Sequence, residues 1–311
     1  MVLTARWRGS LMVIGATLCW GIAAAGIKLL FRKQAVDPLT LVVVRAYLAS
    51  LTLFALLSAT GPARLRIGRR EARLAAMIGI GGLLINNFLY FQAIHRTNVA
   101  TALLLQYQAP VLVALYTAMV QRQRLSRRLF LSLAFALTGC ALIVRIYDPS
   151  ILRPNLLGVL AGIGTAFAFA FYILTSRVAL RTIGAWTLLA YAYLAASLVW
   201  AAVLPPWRLF APGFPLHTWG AFLAIATLGT VLPFGLFISS LKYLPPTQAS
   251  IISMLEPVVA AIAAYFLVGE ILLPIQLLGG ALVLAGVALA ETSDQTGPTS
   301  PADRLRSPAA G

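Results

Sequence analysis

Apolar residues in this chain do not alternate with polar ones; they come in long unbroken runs. Ten such runs stand at about 9–31, 39–60, 74–94, 99–120, 129–147, 156–176, 185–204, 218–241, 247–267 and 274–290. A helix that crosses the ~30 Å hydrocarbon core of a bilayer needs ~20 mostly apolar residues. The runs meet that length, and they are too long and too uniform for the strands of a membrane barrel. The pattern predicts an all-α membrane protein of ten transmembrane helices. A tail over 292–311, rich in Ser, Pro, Thr and Asp, is expected to be disordered.

The chain also repeats itself. Shifted by 147 positions, Pro110 falls on Pro257 and Gly139 on Gly286. Ala102, Val111, Ala114 and Ala134 fall on identical residues at the same offset, as do Leu131, Leu137 and Leu142. Leucine and alanine matches arise easily by chance in apolar sequence, so the proline and the glycine carry the repeat. Two units are expected, 1–147 and 148–291, each of five spans. An odd number of spans sends the second unit into the membrane upside down. Such inverted-topology repeats enclose a central cavity in secondary transporters and rock to expose it to either side.

Charge sets the expected orientation. The chain has 24 Lys and Arg against 8 Asp and Glu, a net charge of +16. Arg64, Arg66, Arg69, Arg70 and Arg73 lie between spans two and three; Arg122, Arg124, Arg127 and Arg128 lie between spans four and five. Arg177 and Arg181, the N-terminal Arg6 and Arg8, and the tail's Arg304 and Arg306 fall on the same side. The opposite side carries Arg32, Lys33, Arg96, Arg145, Arg153 and Arg208. Basic loops stay in the cytoplasm, so both termini are expected there, with an uncleaved first helix. The same loops meet anionic lipid headgroups. Basic residues confined to loops give no nucleic-acid surface.

Polar residues inside the runs are few, and polar groups at that depth normally face protein or water. Glu256 is the only carboxylate expected near the midplane, and it reads as a proton or ammonium site or as a tie between helices. Asn86, Asn87 and Tyr90 fall near the middle of span three. Gln106, Tyr107 and Gln108 fall within a turn of Pro110 in span four. Trp20 and Tyr191, with Phe167, Phe169, Phe171 and Tyr193, are aromatic at similar depth, suited to a planar or cationic ligand or to plain packing. Arg45, ~10 Å into span two, binds a carboxylate or reaches outward to water. Pro110 and Pro257 are expected to kink their helices. Gly158-x-x-x-Gly162 and Gly279-Gly280 are expected to allow close helix approach.

Other chemistry lacks its signature. Cys19 and Cys140 lie inside apolar runs, His95 and His217 stand alone, and no spacing suits a metal. There is no phosphate loop, no nucleophile elbow and no zinc-protease motif. The expectation is therefore a non-enzyme without cofactor or metal.

Several short pieces resemble those of the EamA-type, ten-helix branch of the drug/metabolite transporter superfamily. They are Cys19-Trp20-Gly21 with Lys28, Asp37-Pro38 with Arg45, Gln248-Ala249-Ser250 leading to Glu256-Pro257-Val258, and Gly269-Glu270. The first half departs from the pattern, with Ala109 and Gln123 where the second has Glu256 and Glu270. The resemblance, over about 10–290, implies an inner-membrane secondary transporter that exports amino acids, aromatic or hydrophobic ones above all, with protons as a candidate coupling ion. Hydrophobic-cation or multidrug efflux, nucleotide-sugar exchange, and a receptor or scaffold are the competing readings.

Overall fold

A computed structural model describes residues 2–33, 36–123, 125–149 and 155–293. Arg124, Arg153, Asp294, Asp303, Arg304, Arg306 and the rest of the tail beyond residue 293 lie outside the described residues. Ten long helices account for almost everything described, and no strand occurs among the described residues. They are α1 (Val2–Lys33), α2 (Pro38–Thr60), α3 (Arg69–Arg96), α4 (Val99–Met119) and α5 (Arg127–Ile143) in the first half. The second half holds α6 (Leu156–Ala179), α7 (Ala185–Val203), α8 (Leu216–Ser240), α9 (Pro246–Val268) and α10 (Pro274–Thr292).

Nine of these are long and apolar enough to cross a membrane. The other, α5, has 17 residues, at the lower end of the ~17–25 that a crossing takes. The run at 129–147 suggests a longer helix; Arg145 instead turns the chain with φ 59° and pairs with Asp148. Starts are marked by side chains that accept from exposed backbone amides: Asp37 from Thr40, Asn98 from Thr101, Ser126 from Leu129 and Asn155 from Gly158. Gly269 ends α9 in the left-handed conformation, φ 75°, where a side chain would be strained.

The halves interlock. α1 packs on α8 and α9, and its counterpart α6 packs on α3 and α4; α2 meets α7, and α5 meets α10. The α5–α10 seam shows the two-fold relation at atomic detail. A Cβ on Gly279 would stand 2.7 Å from the Gly139 carbonyl, and one on Gly286 2.7 Å from the Ser132 carbonyl. The offset of 147 carries Gly139 to Gly286 and Ser132 to Gly279, so the two contacts are copies of each other. Ser132 Oγ also donates to Gly286 O at 2.6 Å. Gly158 is similarly pressed on Thr97, whereas Gly280 has its nearest neighbour at 3.8 Å and carries no close approach.

Four irregularities obey the same offset. α3 runs as π-helix over Ile78–Leu84, and α8 over Thr227–Val231; the offset carries Leu84 to Val231. α4 breaks at Tyr107–Gln108 just before Pro110, and α9 tightens to 3₁₀ over Ser253–Leu255 just before Pro257. Proline removes a backbone donor and crowds the preceding turn, so both helices yield there. π-bulges and broken turns free backbone groups, and inside a membrane these are tolerated only within protein or beside a cavity.

The start of α1 and the end of α10 share one face. Arg6 donates to the carbonyls of Ala290, Glu291 and Ser293, and Arg128 reaches Thr292 O. These arginines satisfy the open carbonyls at the C-terminus of α10 and sit well in its dipole. The outer surface carries Leu51, Met119, Leu198, Phe266 and Leu277 exposed, a lipid-facing coat rather than a water-facing one.

Candidate functional site

α2, α3, α7 and α8 enclose a pocket at the level of the two π segments. Arg45, Asn87, Tyr193, Trp200 and Thr230 give it polar and aromatic walls, with Leu83 and Leu84 between them. Its free space is about 10 Å³, roughly the room of one water. In this state the pocket is too small for an organic ligand.

Arg45 turns inward. Its Nε donates to Thr230 Oγ1 at 3.0 Å, joining α2 to the π segment of α8, and Thr230 Oγ1 donates to Ile225 O at 3.2 Å. Glu256 opens the second part of α9, half-buried. Among the described residues its carboxylate makes no hydrogen bond and no ion pair, yet it interacts electrostatically with Arg45, Tyr90 and Tyr107. Arg45 and Glu256 thus interact electrostatically without direct contact, and Glu256 is not among the residues that line the Arg45 pocket.

The other residues singled out in the sequence divide. Asn87 lines the pocket while its Nδ2 donates to Leu83 O at 2.6 Å. Asn86 is buried, and its Oδ1 has no partner among the described residues. Tyr90 packs beside Ala93, Ala102 and Ala161. Tyr107 is buried at the α4 break; Gln106 is half-buried beside it, and Gln108 donates back to Leu104 O at 3.2 Å. Trp20 is buried edge-on against Phe234, ring centroids 5.1 Å apart. Three aromatics are elsewhere, and one of them, Phe171, packs its ring against Gly81. Phe167 is 60% exposed on the outside. Tyr191 donates its hydroxyl to Leu65 O at 2.6 Å, pinning the short helix Pro62–Leu65 to α7.

The pocket also contains residues that sequence reading passed over. Thr230 and Trp200 carry no motif. Phe234 and Phe237 join Trp20, Phe169, Tyr172 and Tyr193 in one connected group of rings. The repeat offset held the signal, since it maps Asn87 to Phe234 and Tyr90 to Phe237. It also maps Arg45 to Ala192 and Glu256 to Ala109. The helix irregularities and the α5–α10 seam follow the repeat; the site chemistry is polar on one side and aromatic on the other.

A bundle of two related halves whose π segments flank a polar pocket fits a membrane transporter. The EamA-like transporter family matches residues 7–145 and again 156–292. The chain belongs to the EamA family. It is a multi-pass membrane transporter, not an enzyme. A transporter of Archaeoglobus fulgidus is 32% identical over 213 residues, 67% of this chain and 74% of the relative. The inner membrane transporter YicL of Salmonella typhimurium is 24% identical over 288 residues, 91% of this chain and 94% of the relative. The threonine/homoserine exporter RhtA of Escherichia coli is 28% identical over 235 residues, 73% of this chain and 74% of the relative. A solved crystal structure superposes with a TM-score of 0.75 at 21% identity, covering 92% of this chain and 97% of that one, which shows the fold.

Proposed function

We propose that this EamA transporter exports amino acids, and that Arg45 and Glu256 hold the two ends of the zwitterion. The observation that carries the reading is their relation: opposite charges that interact electrostatically, with no ion pair between them. An α-carboxylate suits the two-pronged guanidinium, and an α-ammonium suits the free carboxylate. Trp20, Tyr193 and Phe234 would receive the side chain, which favours aromatic or hydrophobic amino acids. The relative RhtA, a threonine/homoserine exporter, supports the amino-acid class.

Arg45 argues against hydrophobic-cation efflux, since a buried guanidinium repels a cation in the same pocket. One arginine is too few for a nucleotide sugar, whose phosphates call for several cations. The two halves, 1–147 and 148–291, rock about the pocket, and Glu256 is the group through which protons would compete with substrate. The arginine-rich face that carries the start of α1 and the end of α10 faces the cytoplasm, in a bacterial inner membrane. Uptake into proteoliposomes from a panel of amino acids and cationic dyes tests the reading: amino acids are taken up and dyes are not, and the reverse result refutes it.

A further inference from the structure

Tyr172 lies in α6 with no solvent exposure, and its hydroxyl has no hydrogen-bond partner among the described residues. Ser176, one turn along the same face of α6, is buried with its hydroxyl equally unpartnered. Buried hydroxyls are almost always satisfied, and an unpaired one is a standing cost. The ring is firmly held. A Cβ on Gly82 would stand 2.9 Å from Tyr172 Cβ, which sets the ring against the π segment whose Leu83 and Leu84 line the pocket. Phe234 meets it edge-on at 5.9 Å between centroids. Tyr193, a pocket wall, interacts with it electrostatically. Tyr172 therefore neighbours two parts of the pocket wall, the π segment of α3 and Tyr193, without itself lining the pocket.

We infer that Tyr172 is a specificity-determining residue whose hydroxyl pairs with a hydroxyl on the substrate side chain, so that the transporter selects hydroxylated amino acids over their apolar isosteres. The inference rests on the amino-acid reading above and narrows it. A site that offers a hydrogen bond penalises the analogue that lacks it, because its own polar group is then left unpaired. The symmetry-related position is Ala25, so only one half of the molecule carries the group.

The test uses two nearly isosteric pairs, tyrosine against phenylalanine and threonine against valine, in proteoliposomes. The wild type prefers the hydroxylated member of each pair by roughly tenfold in kcat/KM, a typical size for one buried hydrogen bond. Tyr172→Phe brings both ratios close to one, with uptake of phenylalanine and valine retained. Unchanged ratios in an active Tyr172→Phe protein overturn the inference while leaving amino-acid transport standing. A loss of thermal stability with unchanged ratios also overturns it and assigns the hydroxyl to a resident water. If the variant fails to insert, the wild-type ratios decide, and equal handling of the isosteres overturns the inference. Transport of none of the four by the wild type would instead refute the amino-acid reading itself.

Discussion

Arg45 and Thr230 stand 185 positions apart and meet at 3.0 Å, Nε to Oγ1. The bond crosses between the halves and holds Arg45 in the pocket wall. Two consequences separate. Arg45→Ala removes the carboxylate anchor and is expected to abolish amino-acid uptake. Thr230→Val keeps the shape and removes only the orienting acceptor, so KM should rise about three- to tenfold, in line with a single bond of ~1 kcal/mol. Uptake kinetics on both variants check this; equal effects would mean that Arg45 acts only structurally.

Glu256→Gln preserves size and hydrogen bonding but removes the charge. Normal membrane insertion and at least a tenfold loss of amino-acid transport are expected, read in proteoliposomes at matched protein content. Near-normal transport would leave Glu256 as a packing residue at the start of the second part of α9.

The α5–α10 seam should tolerate no added atoms where the backbones touch. Gly279→Ala places a methyl group 2.7 Å from the Gly139 carbonyl and is expected to cost about 1–3 kcal/mol, the usual range for overpacking. The adjacent Gly280→Ala, with its nearest neighbour at 3.8 Å, is the control and should change little. Thermal unfolding in detergent distinguishes them.

Tyr191→Phe removes the bond to Leu65 O. Stability should fall by about 0.5–1.5 kcal/mol while substrate KM stays unchanged. A large KM effect would return Tyr191 to the binding site.

These contrasts show what the sequence made legible. Run length marked the spans, because burial in lipid leaves an unmistakable composition; only α5 stops early, where Arg145 turns the chain. The prolines marked the breaks of α4 and α9, because a missing N–H acts locally. The first π segment, Ile78–Leu84, contains no proline, whereas the second is followed by Pro233, whose missing N–H leaves the Gly229 carbonyl without its helical donor. Both segments also depend on packing against α6 and α1, as Gly82 on Tyr172 and Gly229 on Ala23 make plain. Tyr191 and Tyr193 are two residues apart at similar depth, and depth alone does not tell which faces a loop carbonyl and which faces the pocket. That is decided by rotation about α7, which Gly79 fixes by lying against the Ala192 carbonyl.

The most direct test of zwitterion recognition is counterflow of one labelled amino acid against its own analogues. Unlabelled phenylalanine, its decarboxylated amine and its deaminated acid are each loaded into proteoliposomes, and accumulation of labelled phenylalanine is measured. Only the intact amino acid is expected to drive accumulation, because Arg45 needs the carboxylate and Glu256 the ammonium. Equal counterflow with the amine would contradict it and make the protein a cation exporter.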